Sequence, residues 1–430
     1  MKLNRFSRVS LALAVSVAMA LGMTACGGGT IAYLWVLGTQ TDQTQPGQIV
    51  GFKVDDYTGN LTQVIGSPFS SNGINPVSIV IKPGGRFVYV INSGIPAAGG
   101  CPGTPGTGTP GNISIYTVGV GGGLTFQTSV FSQGCNPVWA MMDFSGNYLY
   151  VLDSLYPATD AYKNDNGYGD ITVFAVDPNS GRLTLVPNQQ IKDENQTQLP
   201  FFPVGAKPVR MALAGGCIFT VSGADQTIFP YGVGVGGQLN LQTTSPIVTG
   251  AGNITSINST GGPVYITDAA PTADSPGGRI LYYTTGTNCT LNTVTGGPVN
   301  NLPLTANPSY AMVDNNSRWL YILNGFTTDS QNPNTSSISL FTINTNGQLQ
   351  AGAGAGTGSN PNNPYAVGAG PYCAVEDPSR QYMFVSNNFD GTVTGRRINN
   401  GTGELTGLQH NSTFQATGHA TCLAISSAVN

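Results

Sequence analysis

The chain has 430 residues, of which only 8% are charged and 59 are glycine, and its formal net charge is −4. So sparse a supply of Lys and Arg excludes nucleic acid as a partner, because phosphate binding needs clustered cations. Abundant turn formers without helical periodicity point to an all-β protein, and a chain of this length with no linker-like break points to a repeat fold whose units each add a layer of core.

At the start, Lys2, Arg5 and Arg8 precede an apolar run from Leu11 to Gly22, followed by Met23-Thr24-Ala25-Cys26 and three glycines. A basic start, a short apolar core and small residues before a cleavage point describe a secretory signal over residues 1–25, and the run is too short to span a membrane. The small residues before Cys26 resemble a bacterial lipobox, which implies lipidation of Cys26, a short linker over residues 26–30, and a lipid-anchored protein of the cell envelope. In a Gram-negative cell it would sit on the outer membrane or face the periplasm. Removing the signal takes three of the 16 basic residues and leaves 13 against 20 acidic ones, a net charge of −7.

Residues 31–430 carry one recurring signal, Gly-x-Leu followed by Thr, Asn or Gln: GNLT at Gly59, GGLT at Gly122, GRLT at Gly181, GQLN at Gly237, GQLQ at Gly347 and GELT at Gly403. A degenerate copy, CTLN at Cys289, fills the one gap and makes seven units. Before each copy lies an alternating strand, as in Asn112-Ile-Ser-Ile-Tyr-Thr-Val118. Ahead of that lies a more apolar one, as in Phe87-Val-Tyr-Val-Ile-Asn92. Each unit opens at Asn75-Pro76, Asn136-Pro137, Lys207-Pro208, Asn307-Pro308, Gly370-Pro371 or an equivalent. Each is thus a four-stranded antiparallel meander, and the whole reads as a seven-bladed β-propeller. Ile31 to Leu37 matches a second strand with no first strand before it, whereas Gly418 to Ser426 matches a first strand with nothing after it. The C-terminal strand is therefore expected to join the N-terminal blade and close the ring, as a monomer.

The long irregular stretches, such as Ser93 to Gly111 and Val186 to Ala206, fall between second and third strands or between blades. In a meander those connections emerge on one face, so the binding site is expected there, at the mouth of the central channel. Two residues beyond the Pro position stand Ser78, Trp139, Arg210, Ser256, Tyr310, Cys373 and Cys422, one per blade. Asn75, Asn136, Trp139, Asn307 and Tyr310 are candidate ligand contacts for a small polar molecule or glycan. The other reading of this ring is packing between neighbouring blades.

The strand ending Phe384-Val-Ser-Asn387, the turn Asp143-Phe-Ser-Gly-Asn147 and the Gly-x-Leu-Thr starts resemble the lactonase-type seven-bladed propellers, the group of 6-phosphogluconolactonase-like and Tyr-Val-Thr-Asn-repeat proteins. The resemblance covers the mature chain and implies the fold more than a reaction, because these are turn and core positions. Lactonase members place His, Arg and carboxylate groups around the channel mouth, with His-Pro opening inner strands. In this chain histidine takes that place only at His419. Hydrolysis needs a base and a cation or donor set for the oxyanion; His419, Arg210, Lys207 and Glu376 are the candidates. The two function classes are an exported binding protein for a glycan, small molecule or protein, and a hydrolase acting on a sugar lactone. Two histidines and cysteines without Cys-x-x-Cys spacing predict no metal site, and no cofactor is expected.

Six cysteines follow Cys26, and export favours disulfides. Cys101 and Cys135 fall in loops of one face and are expected to pair. Cys373 and Cys422 share a strand position in blades expected to be neighbours and should pair as well. Cys217 and Cys289 map to inner and outer turns of the opposite face and are left unpaired.

Overall fold

The computed structural model describes residues 29–427 except 43, 96–107, 157–166, 193–195, 244, 301–306, 326–335 and 353–363. The expected secretory signal over residues 1–25, Cys26 and Cys101 lie outside the described residues. Seven antiparallel sheets form a β-propeller. The inner strands are Pro76–Ile81 in blade 2, Cys135–Met142 in blade 3, Pro208–Ala214 in blade 4, Ile254–Asn258 in blade 5, Pro308–Val313 in blade 6 and Pro371–Glu376 in blade 7. Blade 1 starts at its second strand, Thr30–Thr39, and His419–Ser427 pairs antiparallel with it, from Ala32 opposite Ser427 to Thr39 opposite His419. The ring thus closes as the offset of the two termini requires.

Second strands are apolar because neighbouring blades cover both their faces. Every residue of Phe87–Asn92, Trp319–Asn324 and Tyr382–Asn387 is buried, the pattern of strands enclosed on both sides rather than of strands with one wet face. Outer strands face solvent and, apart from Leu124–Val130 in blade 2, run for only three residues. In five blades a second short segment pairs with the third strand beside the outer one, as Phe69–Ser70 does with Gln48–Asp55.

The Gly-x-Leu signal is what docks each blade on the one before it. Its glycine has a positive φ in every copy, and it lies flat against the start of the preceding blade's second strand. A Cβ added at Gly181 would meet the Phe87 ring at 2.5 Å, and one at Gly403 would meet Trp319 at 2.7 Å. Two residues further along that strand, a ring hydroxyl or indole N–H donates to the same glycine's carbonyl: Tyr89 to Gly181, Tyr321 to Gly403 and Trp35 to Gly122, at 2.8, 2.8 and 3.0 Å.

The same interlock overturns one expectation from the sequence. Cys217 and Cys289 form a disulfide, with Cα atoms 5.7 Å apart. Cys217 is the first residue of the second strand of blade 4, the place of Phe87 and Trp319, and Cys289 occupies the glycine slot of blade 5 with φ 56°. Inner and outer positions within one blade do not decide their distance; docking between blades brings them together. Cys373 and Cys422 pair as expected, with Cα atoms 5.1 Å apart, and fasten blade 7 to the closing strand. Cys135 is disulfide-bonded, but the proposed partner Cys101 is outside the described residues.

Candidate functional site

Each inner strand carries a β-bulge in the same place. Pairing skips one residue between Pro76 and Ser78, Pro208 and Arg210, Ile254 and Ser256, Pro308 and Tyr310, and Pro371 and Cys373, with equivalents in blades 3 and 1. An extra residue bends a strand and re-aims its side chains, and here the bulges line the loop-face end of the channel. The residue before each Pro turns the chain in. Asn75, Asn136, Lys207 and Asn307 have φ of 53°, 57°, 49° and 41°, a region that Asn tolerates better than most residues. The Asn of the Asn-Pro signal thus has a backbone task. Its amides are also engaged: Asn75 Nδ2 donates to the Gly94 carbonyl at 2.9 Å, and Asn136 Nδ2 donates to Ser154 Oγ at 3.0 Å while its Oδ1 accepts from Ser93.

The bulged residues bind blades to each other. Thr255 donates its hydroxyl proton to the Pro308 carbonyl at 2.6 Å, Ser309 to that of Pro371 at 3.2 Å, and Thr421 to that of Pro76 at 2.7 Å. One residue on, Ser78 Oγ accepts from Ala140 N at 3.3 Å and Ser256 Oγ from Ala311 N at 3.0 Å. Ser78, Ser256, Cys373 and Cys422 are therefore packing positions between blades.

The remaining three members of that ring, Trp139, Arg210 and Tyr310, meet in the channel. The Arg210 guanidinium carbon lies 4.1 Å from the Trp139 ring centroid and 5.4 Å from that of Tyr372, the bulged residue of blade 7. Trp139 and Tyr310 approach to 6.5 Å between centroids. Side chains from blades 3, 4, 6 and 7 thus form one cation–aromatic cluster across the channel. Arg210 is partly exposed, donates one bond from Nη1 to the Val209 carbonyl at 3.3 Å, and leaves its buried Nε without an acceptor. Among the described residues no carboxylate pairs with it. Tyr310, buried, has its phenol pushed upward by that burial, and the nearby Arg210 charge opposes this only in part. Tyr372 has no counterpart in the list drawn from sequence. It stands one residue beyond Pro371, where the shorter Thr255, Ser309 and Thr421 stop at the neighbouring blade, and its ring is long enough to reach Arg210.

The other sequence candidates stand apart from this cluster. His419 opens the closing strand at the exposed rim, with Nδ1 3.2 Å from the Asn388 carbonyl oxygen. Lys207 is exposed on the same face. Glu376 is the last residue of its inner strand, Pro371–Glu376, three positions beyond Cys373, so it emerges at the opposite end of the channel. It is 8% exposed. Burial there pushes its carboxyl up to about 7, helped by the Asp314 and Asp377 carboxylates and opposed by the Asn315 N–H and Arg380. Glu376 is therefore at the other end of the channel from His419, Lys207 and Arg210.

No family model and no curated protein matches the chain. Among solved structures it is similar to a candidate 6-phosphogluconolactonase from Bacteroides uniformis, with TM-score 0.63 and 15% identity over 92% of this chain and 99% of that one. A periplasmic gluconolactonase from Pseudomonas aeruginosa matches with TM-score 0.62 and 16% identity, over 92% and 99% of the two chains. The chain shares the fold of the lactonase-like propellers. At such identities the likeness extends to the ring of blades and its closure, and the chemistry of the channel must be read from this chain's own residues.

Proposed function

We propose that the protein is a binding protein for a small sugar acid, held by its carboxylate against Arg210 at the loop-face end of the channel. The observation that carries this reading is a partly exposed guanidinium set between the rings of Trp139 and Tyr372, with a single hydrogen bond, from Nη1 to the Val209 carbonyl, and no acidic partner among the described residues. A planar fork with open donors favours a planar carboxylate bidentately, and the aromatic faces around it suit the C–H faces of a sugar. Fold neighbours named as gluconolactonases make a sugar acid or its lactone a natural first choice of ligand. Binding is favoured over hydrolysis because, among the described residues, no carboxylate pairs with Arg210, His419 is tied to a rim carbonyl and Glu376 belongs to the far end. Water activation by a general base requires hydrogen-bond reach. Extracytoplasmic residence fits two disulfides that brace blade contacts. A turnover assay on purified protein with glucono-δ-lactone separates the two classes. The binding reading expects no hydrolysis above the spontaneous rate, and turnover abolished by Arg210→Gln would replace it with the lactonase reading.

A further inference from the structure

Trp139 and Tyr310, members of the cluster described above, also line an open chamber of about 540 Å³ on the turn face. That volume lies within the usual ~300–1,000 Å³ range of small-molecule sites. Its walls are inner-strand side chains, among them Ile79, Ile81, Met141, Met312, Val375 and Leu423. Methionine walls adapt to irregular apolar shapes. Phe144 stands at the lip, 73% exposed, with its ring 3.5 Å from where a Cβ on Gly261 would lie.

The polar groups of the chamber have one sign. Asp143, Asn258, Asn315 and Glu376 line it, and no Lys, Arg or His is among its lining residues. Glu376 accepts one hydrogen bond, from Asn315 N at 2.7 Å. The charged groups around it are Asp314 and Asp377, which are buried, and Arg380, whose exposed guanidinium is engaged by Asn316 Oδ1 at 2.6 Å. Asp314 itself caps its turn through Arg318 N and Trp319 N, and Asp377 caps the next through Gln381 N and Tyr382 N. Those two carboxylates are committed, whereas Glu376 has an oxygen to spare and an apolar space in front of it.

We propose that this turn-face chamber is a second binding site, taking an organic amine whose apolar body fills the Ile–Met–Val walls and whose ammonium group pairs with Glu376. An anionic amphiphile meets only carboxylates and amides there, and a neutral one leaves Glu376 uncompensated. A cation beside Glu376 favours its ionised form, so amine binding below about pH 7 releases a proton and tightens as pH rises. The two ends of the channel then carry opposite preferences, an anion above the Trp139–Tyr310 pair and a cation below it.

Calorimetric titration of the mature protein with octylammonium chloride and with 1-octanol tests the assignment. Octylammonium is expected to bind saturably at one site, and Glu376→Gln is expected to weaken it at least about tenfold, as loss of a charge-assisted hydrogen bond does, while leaving octanol unchanged. Affinity for the amine should rise from pH 5.5 to 8 in the wild type and stay flat in the variant. Val375→Phe, with its circular dichroism unchanged, should abolish both titrations by filling the chamber. Equal affinity for amine and alcohol, indifference to Glu376→Gln, or titrations surviving Val375→Phe would each overturn the proposal. Arg210→Gln should not alter the amine titration, so failure here is separable from failure of the sugar-acid site.

Discussion

Replacing Asp170 by Asn should make the protein more stable at pH 8 and not at pH 4. Asp153 and Asp170 face each other on paired strands of blade 3, fully buried. The same cross-strand place holds Asn92 with Asn112, Asp268 with Arg279, Asn324 with Ser337 and Asn387 with Thr392. In those blades an amide or guanidinium donates across the strands, as Asn92 Nδ2 does to Asn112 Oδ1 at 2.8 Å. Blade 3 instead sets two carboxyl groups together. Burial pushes Asp153 up to about 7, although the Ser132 and Thr172 hydroxyls hold it down, and burial with the Asp153 charge raises Asp170 well above the carboxylate range. The folded pair therefore retains protons that the unfolded chain releases near pH 4. Stability is full below the unfolded value and falls as pH rises through the window up to the folded value. An Asn at 170 would donate to the Asp153 carboxylate and remove much of that loss, so roughly 1 to 3 kcal/mol, the usual cost of a buried group left without a partner, should be regained at pH 8. Urea unfolding followed by tryptophan fluorescence at pH 4, 6 and 8 measures it. An unchanged slope of stability against pH in the variant, or a loss at pH 8, would refute the shared-proton reasoning.

Cys217→Ser with Cys289→Ser should cost about 4 kcal/mol on the chain-entropy model for a closed loop of 72 residues, read as a lower urea midpoint. Cys217→Tyr with Cys289→Gly, which restores the aromatic–glycine contact of the other blades, should recover part of that loss and keep the fold. Val77→Thr should place a hydroxyl where Thr421, Thr255 and Ser309 already reach the next blade's carbonyl, and so raise stability by about 1 kcal/mol; a lower melting temperature would mean that the Pro137 carbonyl is not within reach.

The ring was legible in the sequence because its determinants are local and repeated. The Gly-x-Leu turns, the doubly buried second strands and the offset between Ile31 and Ser426 fix blade count and closure, and with them the Cys373–Cys422 bridge. The Cys217–Cys289 bridge was not legible from positions within a blade. Its sign was present all the same, since Cys289 replaces the one glycine missing from the series and Cys217 replaces the aromatic on which that glycine packs. Trp139, Arg210 and Tyr310 could be placed on the ring by counting from Pro, but counting could not tell which of the seven reach the axis. Side-chain length made that distinction: the serines stop at the neighbouring blade, whereas Arg210 crosses to Tyr372. Glu376 was grouped with the mouth only because it is a carboxylate near the ring. Three further residues along a strand, at about 3.3 Å each, carry it to the other end.

The central claim, a sugar-acid site built on Arg210, is tested most directly by equilibrium titration of gluconate and of neutral glucose into the wild type and Arg210→Gln. Saturable binding of gluconate, much weaker binding of glucose, and loss of at least about tenfold in gluconate affinity on removing the guanidinium are the expected results. Gluconate binding that is absent in the wild type, or as strong in Arg210→Gln, would contradict the account.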